Sequence, residues 1–283
     1  MTITIPVDGG TWEKARRFLD DAGPVATSAY WETRRHELQY RPVAGAVECS
    51  GLYAPILPAP TWIDPFPGPI ARVRKALSRR SPKYWTMHPL LLRWCEIEAE
   101  IDPRLTAIFS AYDLVKAYET AEILLAHRPT HVLEIGAGAC LVGAFLLSGM
   151  PGLRYTVVDI PETIPLGMLT LRHIFPDMAI GLPGEDGQVR FHTPDKLPEG
   201  PFDAAVNVTS FQELTPDIVA GYFAFIERTV KGVFICVNRA EKETRFADYP
   251  WPAWEILRDD EPLISRWSGP DTVARRRVLI SRP

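Results

Sequence analysis

A length of 283 residues is enough for one large domain, or for one domain with an extension. The hydrophobic fraction of 46% and the charged fraction of 23% are ordinary for a globular protein, and the net charge of −4 disfavours a general nucleic-acid-binding protein. The sequence has no signal peptide, no apolar stretch long enough to cross a bilayer and no metal-site spacing among its four cysteines. We therefore expect a cytoplasmic protein without nucleic-acid or membrane partners.

The pattern of the first 129 residues predicts helices that are interrupted by one proline-rich segment. Six prolines between Pro55 and Pro69 exclude regular helix there, and the aromatic side chains of the segment favour an ordered connector over a flexible linker. A basic run from Arg72 to Lys83 fits either a solvated surface or contact with an anionic substrate. Apolar residues at helical spacing predict four helices, at 11–21, 28–38, 89–101 and 105–127.

From residue 130 onward, the sequence alternates between strand and helix patterns. This alternation is typical of an α/β fold with a mostly parallel sheet and helices on its faces, and two final strands predict a terminal antiparallel hairpin. We expect a seven-stranded sheet in a domain at 130–283, preceded by a helical N-terminal region at 1–129. The predicted strands are 131–135, 155–159, 189–192, 204–208, 233–238, 263–267 and 277–281, and the predicted helices are 141–148, 164–174 and 216–229.

The turn after the first of these strands predicts a cofactor site. Gly136 and Gly138 allow the backbone to approach a ligand closely, and the helix that follows offers free N–H groups. Leu141 stands where the dinucleotide fingerprint has its third glycine, which disfavours NAD. Glu134, before the turn, favours S-adenosylmethionine, with cofactor contacts from Glu134, Gly136, Ala137 and Gly138.

Polar residues end the next two strands. Asp159 can accept hydrogen bonds from both hydroxyls of a cofactor ribose, or it can cap the helix that follows. Ile160 is expected to lie against the adenine ring. His192, at the tip of the third strand, is expected either at the adenine edge or on the surface.

The fourth strand ends in a cluster of polar side chains. So many polar groups at the carboxyl edge of a sheet suit a ligand crevice, although Ser210 and Thr215 are also suitable helix caps. We expect Asn207 and Val208 to contact the cofactor and Ser210 to contact the substrate. The cluster consists of Asn207, Thr209, Ser210, Gln212 and Glu213.

Four motifs together resemble the bacterial sugar O-methyltransferase family, namely VLEIGAG at 132–138, VVDIPET at 157–163, FDAAVNVTSFQEL at 202–214 and VNR at 237–239. The resemblance covers about residues 130–240, with departures from the family pattern at Ala137, Ala139, Cys140 and Leu214. It implies a class I methyltransferase fold of the Rossmann-like type, S-adenosylmethionine as cofactor and in-line transfer of a methyl group to a hydroxyl of a sugar or glycoside.

In-line transfer suggests roles for residues around the expected crevice. Glu213 is the expected general base, or else a carboxylate that binds acceptor hydroxyls, and Arg239 and Asn238 would orient the acceptor. Tyr112 would contact the substrate. Tyr118, on the same helix, would either wall the cofactor pocket or pack in the core.

Several alternatives stay open at this point. His36 and His88 are weaker candidates for the base, and the asparagines at the strand ends are poor metal ligands, so no metal is predicted. We expect the region at 1–129 to form a cap over a small-molecule acceptor, and leave a homodimer open. A methyltransferase for a non-sugar natural-product hydroxyl, amine or carboxylate, an NAD-dependent dehydrogenase and a non-catalytic protein of this fold remain alternatives.

Overall fold

The structure, a computed structural model, describes residues 2–23, 25, 27–51, 93–94, 96–109, 111–239, 244–260 and 276–283. The proline-rich segment, the basic run and His88 lie outside the described residues. Residues 89–92 and 95 of the helix predicted at 89–101 also lie outside them. Described residues at its end form a short 3₁₀ turn at Glu98–Glu100.

The N-terminal region contains a three-stranded antiparallel sheet that the sequence analysis did not predict. Its strands are β1 (Thr2–Pro6), β2 (Gln39–Val43) and β3 (Ala46–Ser50), in the order β1-β3-β2. Ile3 and Ile5 are buried while their neighbours in β1 are exposed, as expected for a strand with one face on the core. The description of residues 1–129 as helical is therefore incomplete.

Two of the predicted N-terminal helices are shorter than expected. The helix predicted at 28–38 ends at Arg34 and continues as a 3₁₀ turn, and the helix predicted at 105–127 is two helices. Asp8 begins the first helix, because its Oδ1 accepts the backbone N–H of Thr11 at 2.8 Å. The helices are α1 (Gly9–Asp21), α2 (Ala29–Arg34), α3 (Pro103–Thr106) and α4 (Ala111–Ala126).

The second half of the chain forms a mostly parallel sheet, which confirms the predicted α/β fold. The described strands number eight rather than seven, because the two-residue strand β6 pairs with the edge of β7. The strands are β4 (His131–Ile135), β5 (Arg154–Val158), β6 (Ile180–Gly181), β7 (Val189–His192), β8 (Phe202–Val208), β9 (Val230–Arg239), β10 (Glu255–Asp260) and β11 (Arg276–Arg282), in the order β10-β11-β9-β8-β4-β5-β7-β6.

The chain ends in antiparallel strands, as predicted, but the first of them lies earlier than expected. β11 pairs antiparallel with β9 on one side and with β10 on the other. β10 begins at Glu255, whereas the strand predicted at 263–267 lies outside the described residues.

Helices cover both faces of this sheet. They are α5 (Leu141–Gly149), α6 (Ile164–Ile174) and α7 (Pro216–Thr229). One buried cluster joins the apolar side chains of α4, α5 and α6, and it also includes Ile5 of β1 and Val47 of β3. A second cluster, rich in aromatic rings, lies between α7 and the other face. The N-terminal sheet therefore shares one core with the parallel sheet. Within the described ranges, no helix is long and apolar enough to cross a membrane.

The strand order changes direction at β4, and this change positions the crevice. β4 lies between β5 and β8, both parallel to it, and the chain visits β5 and β7 on one side before it crosses to β8 and β9 on the other. Ile135 at the end of β4 is level with Val158 of β5 and Asn207 of β8. In open α/β sheets, ligands bind beyond the strand ends at such a reversal.

Candidate functional site

The turn between β4 and α5 requires glycine at its first position. Gly136 has a φ of +71°, and a Cβ there would lie 2.0 Å from the Oγ atom of Ser210. Gly138 also has a positive φ, of +53°. Residues 136–138 are half-buried between buried neighbours on both sides. The predicted glycine turn thus lies at the crevice, in direct contact with the loop that follows β8.

Cys140 has a backbone conformation that usually favours glycine. Its φ is +55°, in the left-handed region, and it is the N-cap residue of α5. Gly167 of α6 makes room for its side chain, since a Cβ at Gly167 would lie 2.5 Å from the Cys140 Sγ. Burial raises the pKa of the Cys140 thiol well above its usual value, so this cysteine is a neutral packing group.

Glu134 is a buried carboxyl group with an unpaired oxygen. It is 2% exposed, and its Oε2 atom has no hydrogen-bond partner among the described residues. Burial, together with the nearby Asp159, raises the pKa of Glu134 to about 8, although the charge of Lys116 on α4 opposes this rise. A cation that came close to Glu134 would satisfy this oxygen and favour its ionised form.

Asp159 follows β5 and ties two backbone segments together. Its Oδ2 accepts the N–H of Gly138 at 2.7 Å, and its Oδ1 accepts the N–H of Ile160 at 2.8 Å. Burial raises the pKa of this carboxyl, and the hydrogen bonds from Thr163, Gly138 and Ile160 oppose the rise. A carboxylate has about four acceptor positions, so these contacts leave capacity for ligand hydroxyls. The N-cap residue of α6 is Thr163, not Asp159.

His192 and Ile160 lie at neighbouring strand tips. The Nδ1 of His192 is 3.3 Å from the carbonyl oxygen of Lys196, while its Nε2 is buried without a partner in the described part of the chain. Burial lowers the pKa of His192, so a neutral ring is favoured. Ile160 is 8% exposed. A cavity of about 590 Å³ adjoins both tips and is lined by Pro161 and Thr193 together with residues of α1.

A chain of buried amides fixes the ends of β8 and β9. Asn207 donates from Nδ2 to the carbonyl oxygen of Ile135 at 2.8 Å, and its Oδ1 accepts from the Nδ2 of Asn238 at 2.7 Å. Asn238 Oδ1 accepts the N–H of Gln212 at 3.3 Å, and Gln212 Oε1 accepts the N–H of Arg239 at 3.0 Å. Both asparagines are 0% exposed. In this arrangement they shape the crevice through its backbone, and a direct ligand contact from either one stays a prediction.

The loop after β8 brings Ser210 and Glu213 to the crevice. Phe211 is fully buried and stacks on Tyr222 of α7 with 5.6 Å between ring centres, which anchors the 3₁₀ turn at Phe211–Glu213. Ser210 and Glu213 are half-buried beside it. The carbonyl oxygen of Glu213 accepts the Oγ hydroxyl of Ser28 at 2.6 Å, so α2 begins against this loop.

Two residues of α2, Tyr30 and Arg34, were not predicted as site residues. Arg34 donates from Nη1 to the Tyr30 hydroxyl at 2.9 Å, and its guanidinium lies 4.4 Å from the centre of the Tyr30 ring. Burial and the charge of Glu213 raise the pKa of Tyr30, and the charges of Arg34 and Arg239 lower it. Tyr30 and Arg34 are four residues apart, a spacing that brings two side chains together on one helix face. The sequence contains no pattern that places this pair next to the loop of Glu213.

The tyrosines of α4 have different environments. Tyr112 lies in the first turn of α4, but its side chain is outside the described part. Tyr118 packs edge-on against Phe145, with ring centres 5.3 Å apart, and its hydroxyl donates to Glu100. Core packing, the second of the two predicted roles, fits this position of Tyr118. Val208 is 8% exposed at the end of β8, and His36 is exposed in the 3₁₀ turn after α2.

Metal ligands do not cluster in the ranges that the structure describes. No group of three His, Cys, Asp or Glu side chains there could hold a metal ion. Independence from metal therefore stays a prediction. The side chains around the crevice include the buried carboxyl of Glu134 and the carboxyl of Asp159 at the end of β5. On the side of α2 they include one carboxylate, Glu213, and two arginines.

No protein-family model matches the chain, and no curated protein matches it. Among solved structures, it is similar to magnesium protoporphyrin IX methyltransferase from Synechocystis PCC 6803 with bound SAH, at 13% identity over 74% of this chain and 98% of that one, with a TM-score of 0.48. It is also similar to the mitomycin 7-O-methyltransferase MmcR, at 14% identity over 75% and 72%, with a TM-score of 0.43.

A further similar structure, from Nostoc punctiforme PCC 73102, is assigned as an O-methyltransferase. The identity is 11% over 64% of this chain, with a TM-score of 0.45, and the chain spans only 59% of the length of that protein. At these identities and TM-scores the likeness concerns the path of the chain alone, so the roles of individual residues rest on their own contacts.

Proposed function

We propose that this chain is an S-adenosylmethionine-dependent O-methyltransferase whose acceptor is a hydroxyl group of a sugar or glycoside. The observation that carries the proposal is the buried Glu134, whose Oε2 has no partner among the described residues. An unpaired buried carboxyl is costly, and a cationic ligand removes that cost. S-adenosylmethionine carries an ammonium and a sulfonium group, whereas the dinucleotides carry a pyrophosphate at the corresponding turn.

The positions of the three strand tips support further cofactor contacts. The backbone of Gly136, Ala137 and Gly138 would border the methionine part, and Asp159 would accept the ribose hydroxyls. Ile160 supplies an apolar surface for the adenine, and the unpartnered Nε2 of His192 is a polar atom at its edge. The Asn207 and Asn238 amides would hold this cradle by fixing the ends of β8 and β9.

When bound, S-adenosylmethionine supplies an electrophilic methyl group. The task that remains for the chain is to align the acceptor hydroxyl and to hold its proton as it leaves. Glu213 is the proposed base, because it follows β8 at the crevice and is half-buried. Arg239 and Ser210, on the same rim, would orient the acceptor, and α2 would close the crevice over it as part of the N-terminal cap.

The sugar class rests on the sequence motifs, while the geometry supports a small hydroxyl acceptor in general. A non-sugar natural product is the second candidate. A panel that contains neutral sugars, sugar acids, phenols and amines, assayed with S-adenosylmethionine for formation of the demethylated cofactor, separates these classes. Turnover confined to amines would contradict O-methylation.

The cofactor is tested by calorimetry with S-adenosylmethionine, its demethylated product and NAD. We expect the first two to bind and NAD not to bind. Tight binding of NAD without binding of S-adenosylmethionine would overturn the proposal, and binding of neither would favour a non-catalytic protein.

The base is tested by Glu213→Gln. We expect turnover to fall by roughly 100-fold or more, because general-base catalysis contributes on that order, while cofactor affinity stays unchanged. The exposed Glu227 on α7 offers the matched control, Glu227→Gln. Unaltered turnover in Glu213→Gln would remove Glu213 from the role of base.

A further inference from the structure

Two arginines on the α2 side of the crevice form no ion pair with the residues that the structure describes. Arg34 bonds to the hydroxyl of Tyr30 and covers its ring. Arg239, at the end of β9, is half-buried, and its Nε atom is buried without a hydrogen-bond partner in the described part of the chain. No carboxylate of the described residues lies within ion-pair distance of either guanidinium group. We define the arginine pair site as Tyr30, Arg34 and Arg239.

Several other arginines of the chain form ion pairs. The next residue along α2, Arg35, contacts Glu32 at 3.1 Å and Glu162 at 3.9 Å. Arg104 and Arg245 each bind an aspartate at 2.7 Å or less. Arg34 and Arg239 differ from these arginines in lying together where the loop of Glu213 meets α2.

The arginine pair site is held together by α2 and its anchor. The Ser28 hydroxyl fixes the start of α2 on the carbonyl oxygen of Glu213, at 2.6 Å. Tyr30 comes two residues later, and the charges of Glu213, Arg34 and Arg239 all act on its phenol. Arg239 adjoins the same loop, since its backbone N–H donates to the Gln212 Oε1 at 3.0 Å. Both arginines and the proposed base therefore lie around one region of the crevice. Of the charges of described residues that act on the Tyr30 phenol, two are positive and one is negative, which favours an anionic ligand.

We propose that Arg34 and Arg239 bind an anionic oxygen group, a carboxylate or a phosphate, on the acceptor molecule. This inference rests on the proposed function, because it names the acceptor class of the same site. A guanidinium group offers parallel N–H donors that match the oxygens of carboxylate and phosphate. The buried Nε of Arg239 would gain its missing partner from such a group, and the acceptor hydroxyl would then lie on the side of Glu213.

The experiment titrates the full chain, saturated with demethylated cofactor, with three small probes. Benzoate and its neutral amide, benzamide, have the same shape and differ in charge, and inorganic phosphate represents the second anion. Affinity is measured by nuclear magnetic resonance on the arginine side chains. We expect benzoate or phosphate to bind about tenfold more tightly than benzamide, which corresponds to about 1.4 kcal/mol. The anion that binds more tightly identifies the acceptor group.

Variants assign the effect to the two arginines. Arg34→Gln and Arg239→Gln should each remove most of the preference for the anion. Arg41→Gln is the matched control, since Arg41 is an exposed arginine on β2 that pairs with Glu48. Equal affinity for benzoate and benzamide, the absence of saturable binding by either anion, or a preference that survives in both site variants would each overturn the inference.

The cofactor titration distinguishes this failure from failure of the proposed function. If S-adenosylmethionine binds normally while the anions show no preference, the acceptor class alone is wrong. If S-adenosylmethionine does not bind and the anion preference persists in protein without cofactor, the proposed function is wrong and the anion site stands.

Discussion

At the scale of single residues, Asp159 gives the most direct test of the cofactor site. Asp159→Ala removes a carboxylate that is expected to accept two ribose hydroxyls. Hydrogen bonds to a charged group contribute about 2–3 kcal/mol, so we expect affinity for S-adenosylmethionine to fall roughly 30- to 150-fold. Calorimetry measures this loss. Thermal unfolding of the same sample checks that the turn still folds without the bond to Gly138.

Asp177→Ala is the control for this variant, since Asp177 is exposed between α6 and β6. It should bind the cofactor as the unaltered chain does. A normal affinity in a folded Asp159→Ala protein would show that the ribose is held elsewhere.

We expect the binding of S-adenosylmethionine to release a proton from Glu134. The pKa of the buried Glu134 is about 8, so at pH 7 the carboxyl is mostly protonated. A bound cation favours the ionised form and lowers this pKa, and up to about one proton leaves on binding. Calorimetry in two buffers of different ionisation enthalpy measures the proton, and affinity should rise between pH 6 and pH 8.

Glu134→Gln should abolish this proton release and weaken cofactor binding, because the amide cannot ionise. Glu227→Gln, on the surface of α7, should leave both unchanged. Binding enthalpies that do not depend on the buffer would contradict a direct contact between the Glu134 carboxyl and a cationic group.

At the scale of elements, α2 is predicted to serve acceptor binding rather than cofactor binding. Ser28→Ala removes the hydrogen bond to the carbonyl oxygen of Glu213 and loosens the start of α2. Such a bond contributes about 1 kcal/mol to stability, so the protein should remain folded. We expect a higher KM for the acceptor with unchanged affinity for S-adenosylmethionine. Steady-state kinetics and calorimetry separate the two quantities.

Thr33→Ala is the matched control within α2. The Thr33 hydroxyl bonds only to the helix backbone, at the carbonyl oxygens of Ala29 and Tyr30. This variant should leave the acceptor KM as it is. An unchanged KM in Ser28→Ala would place α2 outside the acceptor site.

The parallel strands were predictable because each one is a short apolar run bounded by turns. The alternation of Thr and Ile in β1 is also a strand pattern, although it spans only four residues. The sequence could not show that Leu105 and Ala111 belong to separate helices, because apolar residues recur at helical spacing without a break from Leu105 onward. β10 consists of exposed and mostly charged residues, so no hydrophobic pattern marked it.

The candidate site was predictable only in part, for a similar reason. The glycine turn, Asp159 and Glu213 follow strands directly, and the carboxyl ends of parallel strands meet at one edge. The close approach of Gly136 to Ser210, at 2.0 Å from a virtual Cβ, depends on the register of β4 and β8, which no local pattern specifies. Tyr30 and Arg34 reach the site through tertiary packing alone.

At the scale of the whole molecule, both halves of the chain depend on one core. Ile5 of β1 and Leu169 of α6 belong to the same buried cluster, so the N-terminal sheet stabilises the half of the chain that contains the parallel sheet as well as its own helices. The arginine pair site depends on this union, because α2 can reach β9 only if the two regions are packed together. A cap that shared no core with the domain would not fix Tyr30 against Glu213.

The burial of β4 can be tested through the pH dependence of stability, because a histidine lies at the beginning of this strand. His131 begins β4, is 4% exposed, and places its Nε2 2.8 Å from the Thr156 hydroxyl. Burial, together with the charges of Arg154 and Arg190, lowers the pKa of His131 to about 4 from its usual 6.5. As the pH falls from 6.5 to 4, the unfolded chain gains this proton before the folded protein does. Stability is therefore lost in that window.

Glu134 acts with the opposite sign, because its raised pKa makes the folded state bind the extra proton between pH 4.5 and pH 8. The His131 effect is therefore isolated by comparing the unaltered chain with His131→Gln in urea unfolding at pH 7 and pH 5. We expect the unaltered chain to lose roughly 1–2 kcal/mol more than the variant between these values, since over most of this range only the unfolded chain takes up the His131 proton. The exposed His127 provides the control, His127→Gln, which should behave as the unaltered chain. Identical pH profiles for His131→Gln and the unaltered chain would mean that the ring takes up its proton in the folded state, which is incompatible with a buried β4 at the centre of the common core.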